Sequence, residues 1–405
     1  MSMNQVKISI IHPMDPLGNK IGGIQTFIKN FIKYAPDDFE VEVVGVTSDK
    51  KNRPVGKWQR VAVHKKNINF LPVLYVRDEN VRTKIPLSLK FTLSLFKYKK
   101  QLNGGDKILI YHRIEPSLSL ANIPSRKVLF IHTNTVDSLY SPHTEAKWRG
   151  FPWLYFQVEK KLIGRMDKVF AVREDVVKFY QKKYPFMADR FLFMPTWVDE
   201  ETFFPYENEV KAKHKLVFSK SKSFPDYAKL VLFVGRLEGA KDPSLLIDTF
   251  YYINKRVPKS RLLIRGGGAL KKKIEERISR YGLKEKVVFF GILPQDKVAE
   301  LMRISDVFLL TSAFEGMPMS VLEALACGLP VVSTNVGEVK RVVRDEFSGL
   351  TCSERDPVAI GNAVLKVLKS KKFSVENCLL SVQDYTARRV LDKVYNVYYD
   401  LGTKQ

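Results

Sequence analysis

Two carboxylates, Glu315 and Glu323, have seven residues between them in the segment DVFLLTSAFEGMPMSVLEALACGLPVVST (306–334). The apolar run at its start reads as a buried strand, and a helix is expected from about Met319 to Cys327, capped by Gly328. Glu315 then lies on the loop at the helix N-terminus, and Glu323 lies over two turns further along than Glu315. Carboxylates accept hydrogen bonds from vicinal hydroxyls such as those of a ribose or hexose. The amides at the helix start, around Gly316, Met317 and Met319, suit sugar hydroxyls or phosphate oxygens. A bare Glu-x7-Glu is common by chance; joined to the Gly-Met-Pro turn and the Ala-rich EALACGLPVV it becomes specific.

Arg236 and Lys241 follow a strand that ends at Gly235 in FVGRLEGAKDPSLLIDTF (233–250). Strand C-terminal ends in open α/β sheets are where ligands bind. Two cations there suit a diphosphate clamp, with solvated loop charges as the plain alternative. Gly22 and Gly23 separate a strand (6–11) from a helix (24–34), and RGGG (265–268), with Gly266 and Gly267, ends another strand. Glycine there allows a close backbone approach to phosphate or nucleoside, or simply a tight turn. The Gly22–Gly23 pair is not a GxGxxG, so a plain nicotinamide-dinucleotide domain is not favoured there. His112 and His132 end the strands KILIYH and KVLFIH. For His112, acceptor binding and ordinary packing both remain open.

These residues need a framework to position them. Short β-rich runs alternate with helical patterns: VKISII, VEVVGV, KILIYH, KVLFIH and KVFAV, then LVLFVG, RLLIRG, KVVFFG, DVFLLT and LPVVST. Two such series imply two doubly wound domains with parallel sheets. The boundary is expected after Pro205, giving domains 1–205 and 206–384, with 207–229 read as a polar linker. Residues 385–405 carry a final amphipathic helix, with Val390, Val394, Val397 and Tyr398 on one face. The segment 85–100 reads as a helix, since strands of that length are uncommon.

Composition narrows the classes. The chain has 405 residues, 45% of them hydrophobic and 12% aromatic, which excludes disorder as the main state. No run of 18 apolar residues suggests a membrane span, and no signal peptide is read at the N-terminus. Cys327, Cys352 and Cys378 are scattered, so neither a disulfide framework nor a metal site is expected, and the protein reads as cytoplasmic. The net charge is +24, and residues 51–100 hold 13 Lys or Arg against two Asp or Glu. So concentrated an excess points to an anionic partner: nucleic acid, anionic lipid or acidic glycan.

Together, the early Gly-Gly, the GRL…K segment, the Gly-rich turn, FEG…E and PTWVDEETFFP (195–205) resemble retaining glycosyltransferase family 4 over nearly the whole chain. The resemblance implies the GT-B fold, two Rossmann-like domains facing across a cleft, with the last helix crossing back to the first domain. It implies that Arg236 and Lys241 bind the donor diphosphate and that Glu315 holds the donor sugar, helped by amides of Gly316 to Met319. Glu323 would bind the ribose, and Gly22 and Gly23 would approach the diphosphate from the first domain. His132 matches the family's first-domain histidine beside the donor sugar.

The resemblance further implies transfer with retention, through front-face displacement in which the departing phosphate helps to deprotonate the acceptor. No carboxylate is an evident nucleophile of the kind retaining glycosidases use. No cofactor is expected beyond the nucleotide-sugar donor, and no metal if the two cations replace one. Expected partners are that donor, a glycan or lipid-linked acceptor, and an anionic membrane surface, giving a peripheral location on its inner face. Basic groups mix with Leu89, Phe91, Leu93, Leu95 and Phe96 in one stretch, and Trp148, Trp153 and Tyr155 mark a second candidate patch. A GT-B enzyme acting on nucleic acid and a non-catalytic nucleotide-sugar binder are the competing readings; no nucleic-acid motif supports the first.

Overall fold

The computed structural model describes residues 5–18, 22–79, 81, 85–104, 106–132 and 152–403, with the backbone alone at 152–155 and 403. The chain divides into two compact units. One runs to Pro195 and takes back Ala387–Gln405; the other spans Thr196–Thr386.

The first unit is built on eight strands: β1 (Val6–Ile11), β2 (Phe39–Thr47), β3 (Gln59–Val63), β4 (Lys66–Tyr75), β5 (Lys107–Tyr111), β6 (Arg126–Ile131), β7 (Lys168–Ala171) and β8 (Phe191–Phe193). Their order is β3-β4-β2-β1-β5-β6-β7-β8, parallel except for the β3–β4 pair. Runs such as Ile8, Ile10 and Ile11 are buried on both faces, as a covered parallel sheet requires. Strand order reverses between β1 and β5, so the ends of these two strands mark the first unit's switch point.

The second unit holds six parallel strands: β9 (Lys229–Val234), β10 (Ser260–Arg265), β11 (Val287–Gly291), β12 (Val307–Leu310), β13 (Val331–Thr334) and β14 (Gly349–Cys352). The order β11-β10-β9-β12-β13-β14 is that of a dinucleotide-type doubly wound sheet, and its switch point lies between β9 and β12. Two α/β units of this kind are what the alternating sequence pattern implies.

Several expectations are refined. The division falls at 195/196 instead of 205/206 because Arg303 holds the intervening segment. Its guanidinium donates to the carbonyls of Thr202 (2.5 Å) and Phe204 (2.8 Å) and stacks on the Phe204 ring. The stretch read as a linker contains a helix, Asn208–Ser221, tied to the sheet through Lys215 and Asp306 (2.5 Å). The final helix, Ala387–Thr403, does return to the first unit. Val390, Leu391, Val394, Tyr395 and Tyr398 are buried, and the Tyr395 hydroxyl donates to the Phe31 carbonyl (2.8 Å). Residues 85–100 contain the expected helix, Leu87–Tyr98, with Phe91 and Leu95 in the core.

Candidate active site

The second unit gathers its chemistry at the ends of β9 and β12. After β9 the chain passes Gly235 and Arg236, makes a short turn at Gly239–Lys241, and starts the helix Pro243–Arg256. Asp242 caps that helix by accepting from the Leu245 amide (3.2 Å), with proline at the first helical position. The turn is laced to the loop after β12. The Ala313 amide donates to the Ala240 carbonyl (2.8 Å), and the Thr311 hydroxyl lies 3.1 Å from the carbonyls of Lys241 and Asp242.

This lacing brings Lys241 onto Glu315, where the two form an ion pair. The Ser312 hydroxyl donates to the same carboxylate oxygen (2.6 Å). Arg236 is more exposed and pairs with Glu238 (2.8 Å). Arg355 joins the cluster by binding Asp242 and the Ser312 carbonyl. Both cations expected to clamp a diphosphate therefore sit at the switch point, each matched by a carboxylate.

Glu315 and Gly316 are held from the other side by Gly337, at φ 54°. A Cβ there would come within 2.0 Å of the Gly316 carbonyl oxygen, and the next residue's amide, that of Glu338, donates to that oxygen (2.9 Å). The helix Met319–Ala326 begins immediately after, with Pro318 as its cap residue and no side-chain cap. The amides of Gly316, Met317 and Met319 donate to no acceptor among the described residues, which leaves them for a ligand. Met317 is buried, and its sulfur accepts from the Thr196 amide (3.2 Å).

Glu323 is buried within this helix, and its carboxylate has no hydrogen-bond partner among the described residues. Burial pushes its pKa from an ordinary 4.5 up to about 7, a rise that Arg265 opposes, Asp199 assists and Lys241 opposes. Arg265 itself donates to the Leu293 carbonyl (2.7 Å) and keeps a buried Nε without a partner. A buried acceptor left open in this way suits paired hydroxyls of a ligand.

The glycines of the RGGG turn serve a more local purpose than the sequence suggests. A Cβ at Gly266 would lie 1.9 Å from the Gly235 carbonyl oxygen, and one at Gly268 would lie 2.5 Å from that of Leu237. Their close approach is to the loop after β9, which they brace from behind. Gly267 faces open space, and so does Gly23, the first residue of the helix Gly23–Tyr34. Gly22 is in extended backbone, where a Cβ would meet only the mobile end of Gln25.

In the first unit, His112 follows β5 and His132 follows β6. Their rings stack with centroids 5.2 Å apart, and His112 Nδ1 lies 2.9 Å from His132 Nε2. Phe27 meets both rings edge-on, and Phe130 stacks on His112. Burial lowers the His132 pKa to about 4; burial, then His132 and His12, hold His112 well below its ordinary range. Both imidazoles are thus neutral at pH 7, and one hydrogen bond couples their tautomers. His112 is packed, and its packing reaches His132.

Ser312, Asp242, Arg355, Arg265 and Asp199 escape the sequence reading. All but Arg355 lie inside segments singled out there, but their contacts depend on how strand ends meet. Among the described residues no three His, Cys, Asp or Glu side chains gather as a metal site.

Residues 215–377 match the family described as glycosyl transferases group 1. An uncharacterized glycosyltransferase of Methanocaldococcus jannaschii is 30% identical over 200 residues, which are 48% of this chain and 51% of that protein. A UDP-Gal:alpha-D-GlcNAc-diphosphoundecaprenol alpha-1,3-galactosyltransferase of Escherichia coli is 29% identical over 214 residues, 51% of this chain and 54% of that one. The chain thus spans about half the length of these relatives. Among solved structures, a sucrose-phosphate synthase from Thermosynechococcus elongatus superposes with a TM-score of 0.78 at 19% identity, covering 99% of this chain and 100% of that one. At that identity the likeness concerns the fold, which is GT-B.

Proposed function

We propose that this chain, whose residues 215–377 match the family described as glycosyl transferases group 1 and whose fold is GT-B, is a retaining glycosyltransferase. It moves a hexose-type sugar from a nucleotide-diphosphate donor to a glycan or lipid-linked acceptor of cell-surface polysaccharide or glycolipid synthesis. The observation that carries this reading is the meeting of Lys241, Glu315, the open amides of Gly316 to Met319 and the unpartnered Glu323 at one switch point. That set offers a cation for phosphate, a carboxylate for sugar hydroxyls, helix amides for developing negative charge and a second carboxylate for a ribose. The Escherichia coli relative, named for a UDP-galactose donor and a diphosphoundecaprenol-linked acceptor, supports the same donor and acceptor classes.

In this mechanism the acceptor hydroxyl approaches the anomeric carbon on the face that the phosphate leaves. The acceptor's C–O bond forms as the bond from anomeric carbon to phosphate oxygen breaks, and the hydroxyl proton passes to the departing phosphate. Arg236 and Lys241 exchange their carboxylate partners for the diphosphate and stabilise the charge that builds on it. Glu315 turns to the donor sugar, and Glu323 accepts from the ribose. Orientation supplies much of the remaining rate. His132 is the first unit's catalytic candidate, and these cations replace a divalent metal.

A thermal-shift screen of nucleotide sugars, followed by proton NMR of the product formed with the best donor, tests the reading. A stabilising donor and a product of unchanged anomeric configuration are expected. An inverted product would overturn retention. Stabilisation with no donor turnover, even with glycan and lipid-linked acceptors present, would favour a non-catalytic binder.

A further inference from the structure

The helix Leu87–Tyr98 has one face that the fold uses and another that it does not. Phe91, Thr92 and Leu95 are buried against the sheet. Leu89, Leu93 and Phe96 are 46%, 61% and 51% exposed. Their spacing of four and three residues aligns them as one stripe along the helix. Leu118, also 51% exposed, lies on the adjoining turn Glu115–Leu118, and the Ser119 hydroxyl just after it donates to the Thr92 carbonyl (2.5 Å).

The cations of this region fall into two groups. Arg53 is held by Asp15 and Asp49, and Lys66 by Asp37, so these are structural. Lys90, Lys97, Lys99 and Lys100 form no ion pair among the described residues. They flank the apolar stripe or follow it at the helix end. An excess of positive charge therefore remains uncompensated beside exposed leucine and phenylalanine.

We propose that this face docks the first unit on an anionic bilayer surface. Lipid is the partner that satisfies both features together: its headgroups take the lysines, and its acyl boundary takes Leu89, Leu93 and Phe96. A nucleic acid or an acidic glycan would engage the lysines and leave the aliphatic stripe in water. No helix of the described residues is long and apolar enough to cross a membrane, so the contact is interfacial. The candidate patch at Trp148, Trp153 and Tyr155 lies outside the described side chains and carries none of this argument. The inference rests on the proposed function only for its purpose, access to a lipid-linked acceptor.

Co-sedimentation of the full chain with vesicles tests it, and the donor is left out so that docking and transfer can fail separately. Vesicles of phosphatidylcholine alone are compared with vesicles that also contain phosphatidylglycerol, at low and high salt. Binding is expected only with phosphatidylglycerol and is expected to weaken as salt rises. Reversing Lys97, Lys99 and Lys100 to Glu is expected to lower partitioning by about a hundredfold or more, since each lysine near an anionic surface contributes about fivefold. Leu89→Ser with Leu93→Ser and Phe96→Ser is expected to lower it by about tenfold or more while the melting temperature stays unchanged. Absence of binding to phosphatidylglycerol vesicles at low salt overturns the proposal. So does full binding by the folded serine variant, and so does tighter binding to heparin or single-stranded DNA than to the vesicles.

Discussion

Lys241 and Glu315, contributed by the loops after β9 and β12, form an ion pair that links the two strand ends of the second unit's switch point. Each side chain is mostly buried, so removing either one leaves the other a poorly solvated charge. Lys241→Ala and Glu315→Ala should each destabilise the protein, and the double variant should lose less than the sum. A coupling of about 1–3 kcal/mol is expected from a urea-denaturation double-mutant cycle. Additive losses would mean that the pair does not hold the loops together.

The buried Glu323 predicts a pH dependence with a definite sign. Its folded pKa, about 7, lies above the unfolded value near 4.5, so the stability it allows is complete below pH 4.5 and is lost as pH rises through 7. The loss amounts to about 3 kcal/mol. Glu323→Gln should therefore raise the melting temperature at about pH 8 and leave it little changed at about pH 4.5. Donor binding should show the opposite trend in the wild type, tightening as the carboxylate ionises, and the Gln variant should abolish that trend. A wild-type donor affinity that stays flat from about pH 6 to 8 would contradict the ribose assignment.

His112 and His132 should titrate far below an ordinary histidine. Their folded pKa values are depressed, so the stability they contribute is present above pH 6.5 and is lost as pH falls through their folded values, which for His132 is about 4. Imidazole NMR signals for both are expected to stay in the neutral form down to about pH 5. A midpoint near 6.5 for either ring would show that the pair is not buried as described.

The two α/β units, the placing of Glu315 before its helix and the existence of the last helix are legible because each rests on a strong local pattern; the return of that helix to the first unit is implied by the family resemblance alone. Buried strands such as LVLFVG are continuous apolar runs, and the final helix repeats its apolar face at helical spacing. The β3–β4 hairpin is not legible. QRVAV is short and half polar, KNINFLPVLY has a proline within it, and an edge pair tolerates both. The helix Asn208–Ser221 is hidden for a related reason: only Ser219 is buried, so its exposed residues carry no apolar period. In the site, Arg236 and Lys241 are readable from their position after a strand. Arg236 pairs with Glu238 two residues on, whereas the Lys241–Glu315 pair and the Arg355–Asp242 link join residues distant in sequence and need the fold to be seen.

Metal independence follows from assigning the diphosphate to Arg236 and Lys241. Transfer should persist in excess EDTA, and added magnesium or manganese should change the rate by less than about twofold. Complete loss in EDTA with recovery on adding either ion would contradict the assignment.

The switch point of the second unit is proposed to bind and cleave a nucleotide-diphosphate sugar. The most direct measurement is steady-state release of nucleoside diphosphate from a panel of nucleotide hexoses, by the wild type and by Arg236→Ala and Lys241→Ala. The wild type is expected to turn over at least one donor class, and each variant is expected to be slower by about a hundredfold or more, the usual effect of removing one stabiliser of transition-state charge. Near-normal release by both folded variants, or no release from any donor by the wild type, would contradict it.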